Sequence, residues 1–162
     1  MKILVTSDTH YSTDLLIKAI ELEKPDKIFH LGDALGREEE IEAICEVPVT
    51  VVRGNCDHDI SLPSEIVEDL GRHKVLLTHG HYYGVGIDVY ELDELIEAAM
   101  NHDCDMVFYG HTHFPLYERN YKGMTILNPG SITSPRQPGG AHTYAILEID
   151  SYGRFQINMR EI

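Results

Sequence analysis

The chain of 162 residues is long enough to bury a hydrophobic core without disulfide or metal staples, and 43% apolar with 25% charged residues excludes a disordered or low-complexity protein. A formal net charge of -14 sets most of the surface against nucleic-acid backbones and anionic membranes, so long polyanions and lipid surfaces are poor partners. Three unpaired cysteines, Cys45, Cys56 and Cys104, exclude a disulfide framework or a cysteine-built zinc site.

In chain order, Lys2 to Thr6 reads as a buried strand. Its apolar run is too short for a signal peptide, and no run reaches the ~18 apolar residues of a membrane helix, so a reducing cytoplasm is the expected home. Thr13 to Glu23 reads as an amphipathic helix stopped by Pro25, with Leu15, Leu16, Ala19, Ile20 and Glu23 at helical spacing. Lys27 to Leu31 is a second strand, Arg37 to Glu46 a second helix with Glu38-Glu39-Glu40 as a solvated face, and Val49 to Val52 a third strand. Glu65 to Leu70 and Lys74 to Leu77 form a strand pair turning at Gly71. Asp88 to Met100 is the clearest helix, with Asp88 as its N-cap. Met106 to Tyr109 is a short buried strand. Phe114 to Tyr121 with Met124 to Leu127, and His142 to Ile149 with Phe155 to Ile162, read as hairpins. Strand–helix–strand order in the first half implies parallel pairing, and the hairpins of the second half imply antiparallel pairing. No repeat or linker interrupts residues 1–162, which read as a single α/β domain of mixed sheets with helices outside.

The chemistry sits where strands end. The first strand runs into Ser7-Asp8-Thr9-His10, the second into Gly32-Asp33 and the third into Arg53-Gly54-Asn55-Cys56-Asp57. The strand at Lys74 runs into Thr78-His79-Gly80-His81, that at Met106 into Gly110-His111-Thr112-His113, and that at Met124 into Asn128-Pro129-Gly130-Ser131. Ligands of open α/β sheets bind outside the carboxyl ends of the strands, and parallel strands bring those ends to one edge. Alone, an Asp-x-His is as readily a helix cap, a Gly-Asp is weaker still, and His79 or His81 could be a satisfied turn residue. Together, Asp8, His10, Asp33, Asn55, His79, His111 and His113 form an oxygen-and-imidazole set without thiolate, suited to Mn, Fe, Zn, Ni or Co. Seven ligands are too many for one tetrahedral centre and suit two ions sharing a carboxylate.

Asp8-x-His10, Gly32-Asp33, Gly54-Asn55-x-Asp57, His79 and Gly110-His111-Thr112-His113 resemble, in order and spacing, the motifs of the calcineurin-like metallophosphoesterases. The short length and the Gly-Asn-Cys-Asp form of the third motif are most similar to its small archaeal and bacterial phosphodiesterases. The resemblance implies a four-layer αββα sandwich of two mixed sheets flanked by helices. It also implies two divalent ions, Mn²⁺ foremost with Ni²⁺, Fe²⁺, Zn²⁺ or Co²⁺ as alternatives. Asp8, His10 and His113 would hold one ion, Asn55, His79 and His111 the other, and Asp33 would bridge them. His81 falls outside this set, as either a supporting or a purely structural residue. Many members carry histidine after the motif asparagine, where it assists the leaving group. Cys56 stands there in this chain, and a neutral thiol with a reference pKa near ~8.5 is a poor substitute. Cys56 is thus either a reduced form of that catalytic position or a small residue without chemical role, and Asp57 either orients Asn55 or Arg53 or is a turn residue.

Two ions ~3.5–4 Å apart can lower the pKa of a bridging water toward ~7, and the resulting hydroxide would attack phosphorus in line while the ions hold the non-bridging oxygens. Two dications, less Asp8, Asp33 and hydroxide, leave one positive charge. A small phosphodiester cancels it, whereas a dianionic monoester overshoots. Arg53 and Arg136 are the evident cationic supplements. The rival readings are a phosphomonoesterase or nucleotide hydrolase on the same site, and a non-catalytic scaffold of the same fold, as one retromer subunit is. Retention of all seven ligands argues against the scaffold. Exposed hairpins and nine tyrosines permit a homo-oligomer.

Overall fold

The computed structural model describes residues 1–86 and 91–162 and, within these, every side chain but that of Glu38. Among the described residues, ten strands form two mixed sheets. The first sheet has the order β10-β9-β1-β2-β3, from β1 (Lys2–Thr6), β2 (Lys27–His30), β3 (Val49–Val51), β9 (Thr143–Ile149) and β10 (Phe155–Glu161). The second has the order β4-β5-β6-β8-β7, from β4 (Glu65–Asp69), β5 (Lys74–Thr78), β6 (Met106–Phe108), β7 (Pro115–Tyr121) and β8 (Met124–Pro129). β1, β2 and β3 are parallel, as are β5, β6 and β8, and antiparallel strands finish each sheet.

Strand alternation builds the layers. Ile3, Val5, Phe29 and Leu31 of one sheet meet Val75, Leu77, Phe108 and Leu127 of the other in the central core. Their neighbours face outward. Leu4 and Ile28 pack on Leu16 and Ala19 of α1 (Asp14–Glu23) and Ile41 of α2 (Glu38–Ile44), whereas Leu76, Val107 and Ile126 pack on Leu95, Ile96 and Ala99 of α3 (Asp93–Asn101). This is the expected αββα sandwich.

Lys24 ends α1 in the left-handed region at φ 48°, its N–H bonded to Ile20 O, and Pro25 follows. The expected helix start at Asp88 lies outside the described residues. Glu39 and Glu40 are exposed as expected of a solvated face, with Glu40 held by Arg37 at 2.8 Å and by the Thr13 hydroxyl at 3.0 Å. All three cysteines are free thiols. Among the described residues, no helix is long and apolar enough to cross a membrane.

Candidate metal centre

Parallel pairing delivers six strand ends to one edge, and the seven expected side chains meet there. Five of them, Asp8 (φ 55°), His10 (45°), Asp33 (58°), His111 (68°) and His113 (62°), have left-handed backbones that side chains with a Cβ rarely adopt. Such strain persists only where surrounding bonds enforce it, and it concentrates at working sites. Here Asp8 N–H donates to Gly32 O at 3.0 Å, His10 N–H to Asp33 O at 2.9 Å, and His111 N–H to the Asp8 carboxylate at 3.2 Å. The loops also touch so closely that two positions admit only glycine. A Cβ on Gly54 would lie 2.1 Å from Asp33 Oδ1, and one on Gly110 would lie 2.0 Å from Ser7 Oγ.

The side chains form two overlapping groups. In the first, His113 Nε2 lies 3.1 Å from Asp8 Oδ1 and 3.3 Å from His10 Nε2. In the second, Asn55 Oδ1 lies 2.8 Å from His111 Nδ1 and 3.1 Å from His79 Nε2, which is 3.5 Å from Asp33 Oδ2. Asp33 joins the two, lying close both to His10 and to the Asp8–His79 pair. His79 Nδ1 faces Leu31 O at 2.6 Å and His113 Nδ1 faces Ser134 O at 2.5 Å. A nitrogen facing a carbonyl must donate, so in each neutral ring the Nε2 lone pair points into the cluster.

Charge and orientation together call for a cation. Burial opposes ionisation of Asp8 and Asp33, yet the adjacent histidine rings, chiefly His113 for Asp8 and His79 for Asp33, hold both carboxyls below the usual range. Burial likewise opposes protonation of His79 and His113, but the facing carboxylates outweigh it and raise both. His10 and His111 are lowered, first by burial. Asp8 Oδ1 is fully buried and, among the described residues, meets no donor in hydrogen-bonding geometry, although His113 Nε2 sits 3.1 Å away. A buried carboxylate oxygen without a donor is costly, and inward imidazole lone pairs beside it make an N/O donor set that fits divalent ions.

The remaining expected residues fall around this set. Cys56 donates its N–H to Asp33 Oδ1 at 2.8 Å, and its Sγ accepts from Asn55 Nδ2 at 3.2 Å. Burial, then the Asp33 carboxylate, push the thiol up to about 11, so it stays neutral. Asp57 works through the backbone. Its carboxylate accepts from the amides of Asp33 (2.8 Å), Gly54 (2.8 Å) and Leu35 (2.7 Å), stitching the second-strand loop to the third. Arg53 donates to Tyr82 OH at 2.7 Å, and Arg136 is exposed. His81 begins a 3-10 turn (His81–Tyr83), its ring centroid 5.5 Å from that of His79 and 6.2 Å from that of His111. Burial, then the charges of His79 and His111, push it down to about 4.

Four supporting residues escaped the sequence reading. Fully buried His30 accepts from Gly32 N–H through Nδ1 at 3.3 Å and bonds Thr9 Oγ1 through Nε2 at 3.0 Å. Asn128 donates to Gly110 O at 2.7 Å and to Thr112 Oγ1 at 3.0 Å, fixing the turn that carries His111 and His113. Ser131 and Thr133 hydroxyls hold Asp8 O at 2.9 and 2.8 Å. Only the strand-end placement of Asn128 and Ser131 hinted at such roles.

The family model of the calcineurin-like phosphoesterase superfamily domain matches residues 1–152. Phosphodiesterase YfcE of Escherichia coli is 29% identical over 188 aligned positions, covering 100% of this chain and 95% of its own. The crystal structure of a conserved protein from Streptococcus pneumoniae, described as a predicted phosphoesterase, superposes with a TM-score of 0.82 at 30% identity, covering 99% of this chain and 88% of that one. Vps29 of Entamoeba histolytica, solved with zinc, shares the fold at a TM-score of 0.77 and 22% identity, covering 99% of each chain. With most of its length matched by the family model and its two-sheet architecture matched by the bacterial structure, the chain belongs to the calcineurin-like phosphoesterase superfamily.

Proposed function

We propose that this chain, acting as one domain over residues 1–162, is a hydrolase of small phosphodiesters that works with two divalent ions, Mn²⁺ foremost. The observation that carries the reading is the donorless Asp8 Oδ1, buried where two groups of ligand atoms overlap at Asp8 and Asp33. Asp8, His10 and His113 would hold one ion, Asn55, His79 and His111 the other, with Asp33 shared. When bound, such ions act as Lewis acids and lower the pKa of coordinated water toward ~7. The chain's own residues do the rest. Leu31 O and Ser134 O fix the rings of His79 and His113. The Cys56 thiol takes up Asn55 Nδ2 and leaves Oδ1 turned inward. Cys56 is thus a positioning residue, and its neutral thiol is no proton donor of imidazolium strength. Asp57 positions the Asp33 loop through backbone amides.

Two carboxylates against two dications leave little excess positive charge, and Arg53 is already engaged by Tyr82. A singly charged diester suits that balance better than a monoester, and the overall charge of -14 disfavours long nucleic acids. Reducing cytoplasm suits three free thiols. Hydrolysis of bis-p-nitrophenyl phosphate in Mn²⁺, lost in His111→Ala, is the expected result. Activity that survives this substitution, or much faster hydrolysis of p-nitrophenyl phosphate, would overturn the reading. Because Vps29 shares only the fold at 22% identity, a scaffold role finds its test in the same assay.

A further inference from the structure

A second concentration of polar chemistry lies at the other end of the sandwich. The metal-centre loops leave the carboxyl ends of β1, β2, β3, β5 and β6. The β4–β5 turn precedes the amino end of β5, the β9–β10 turn follows a strand antiparallel to β1, and Arg119 lies where β7 passes the amino end of β8. Three segments distant in sequence therefore meet away from the catalytic edge. They enclose an open groove of about 600 Å³ lined by Arg72, His73, Arg119, Tyr152, Arg154 and Phe155.

The grouping runs against the charge of the molecule. Acidic residues outnumber basic ones 27 to 13, yet three of the seven arginines line this groove, all exposed. The acidic groups nearby are already engaged, two of them with groove residues themselves. Asp150 pairs with Arg154 at 2.7 Å, Asp105 with His73 Nδ1 at 2.5 Å, and Asp69 accepts from Gly71 N–H at 2.8 Å. Among the described residues, Arg72 and Arg119 have no ion-pair partner. Arg119 instead stacks 4.9 Å over the Phe155 ring, whose other neighbour is the edge-on His73 ring at 4.9 Å. The groove is also shaped. A Cβ on Gly153 would lie 2.6 Å from Arg72 Cδ, and His73 Nε2 is fixed 3.0 Å from Gly153 O. Tyr152 stands 71% exposed at the rim with Arg154 5.4 Å from its ring.

Unpaired guanidinium groups are fork-shaped donors for phosphate oxygens, and an exposed aromatic ring beside them offers a stacking face to a planar base. The volume is that of a small-molecule site. We propose that this groove binds a nucleotide, its phosphates on Arg72 and Arg119 and its base against Tyr152, independently of the metal centre.

The test is an amide chemical-shift titration of the full chain with ADP, comparing wild type, Asp33→Asn and Arg72→Ala/Arg119→Ala. Saturable shifts at Arg72, His73 and Gly153 are expected in wild type, unchanged in Asp33→Asn and weakened about tenfold or more in the arginine variant, since charge-assisted bonds are lost. Tyr152→Ala, an exposed substitution that leaves the core alone, is expected to weaken ADP but not inorganic phosphate. The proposal is overturned if these amides do not respond to millimolar ADP, if the arginine variant binds as wild type does, or if inorganic phosphate binds as tightly as ADP.

Discussion

Asp57 lies under the site as a buried carboxylate that accepts from three backbone amides, and its removal would leave all three without that partner. Leaving buried donors unsatisfied costs about 1–3 kcal/mol each, so Asp57→Ala is expected to destabilise the chain by about 3 kcal/mol or more in urea denaturation. Gly54→Ala tests the opposite fault, an added atom. Its Cβ would fall 2.1 Å from Asp33 Oδ1 and 2.4 Å from Asp33 N, so the Asp33 carboxylate must move. Metal affinity measured by titration should fall by about 10–100-fold, the usual effect of disturbing a ligand's support. His30 adds a pH dependence. Burial pushes its pKa down to about 4, so the folded state holds it neutral while the unfolded chain protonates near the ordinary value of 6.5. Stability from this residue is intact above that value and drains away as the pH falls toward about 4, because only the unfolded state takes up the proton. Replacing His30 with Gln should flatten the fall of thermal midpoint across this window. The seven clustered residues were legible because each follows a strand beside a glycine or small residue. The partners of Asp57 were not, because carboxylate-to-amide bonds depend on how two loops approach, which spacing alone does not record.

At the scale of elements, alternation decides which side chains each sheet presents. In β5, Val75 and Leu77 enter the central core while Leu76 faces α3, and all three are fully buried. Leu95 anchors α3 on that outer face, also fully buried. Leu95→Ala is expected to cost about 2–5 kcal/mol in denaturant unfolding, the range for a leucine emptied from a packed core. A loss within experimental error would mean that α3 contributes little to the layer. Strand positions were readable to within a residue or two, since β-branched runs bounded by glycine, proline and polar turns carry a strong local signal. The 3-10 turn at His81–Tyr83 was not readable. It rests on left-handed Gly80 and Gly84, and Gly80 packs where a Cβ would lie 2.9 Å from Val85 Cγ2, a tertiary contact. The irregularity between Glu118 and Tyr121 in β7 was equally hidden, because it lies in the register with β8 rather than in the composition of either strand.

Across the whole molecule, the candidate centre joins the two sheets. Asp8, His10, Asp33 and Asn55 follow strands of the first, and His79, His111 and His113 follow strands of the second. Ions bound there would clamp the sandwich at one edge. By mass action, metal at about a hundred times its Kd should add about 2.7 kcal/mol to stability, visible as a thermal midpoint that falls on chelation. The four-layer architecture was legible through the family resemblance, whereas the order of strands and helices alone implied a mixed α/β domain with helices outside. The most direct measurement is elemental analysis of the chain after saturation with Mn²⁺ and exhaustive dialysis, with Asp33→Asn in parallel. Two ions per wild-type chain and a marked loss in the variant are expected. A wild-type chain that retains none, or a variant that retains as many as wild type, would contradict the account.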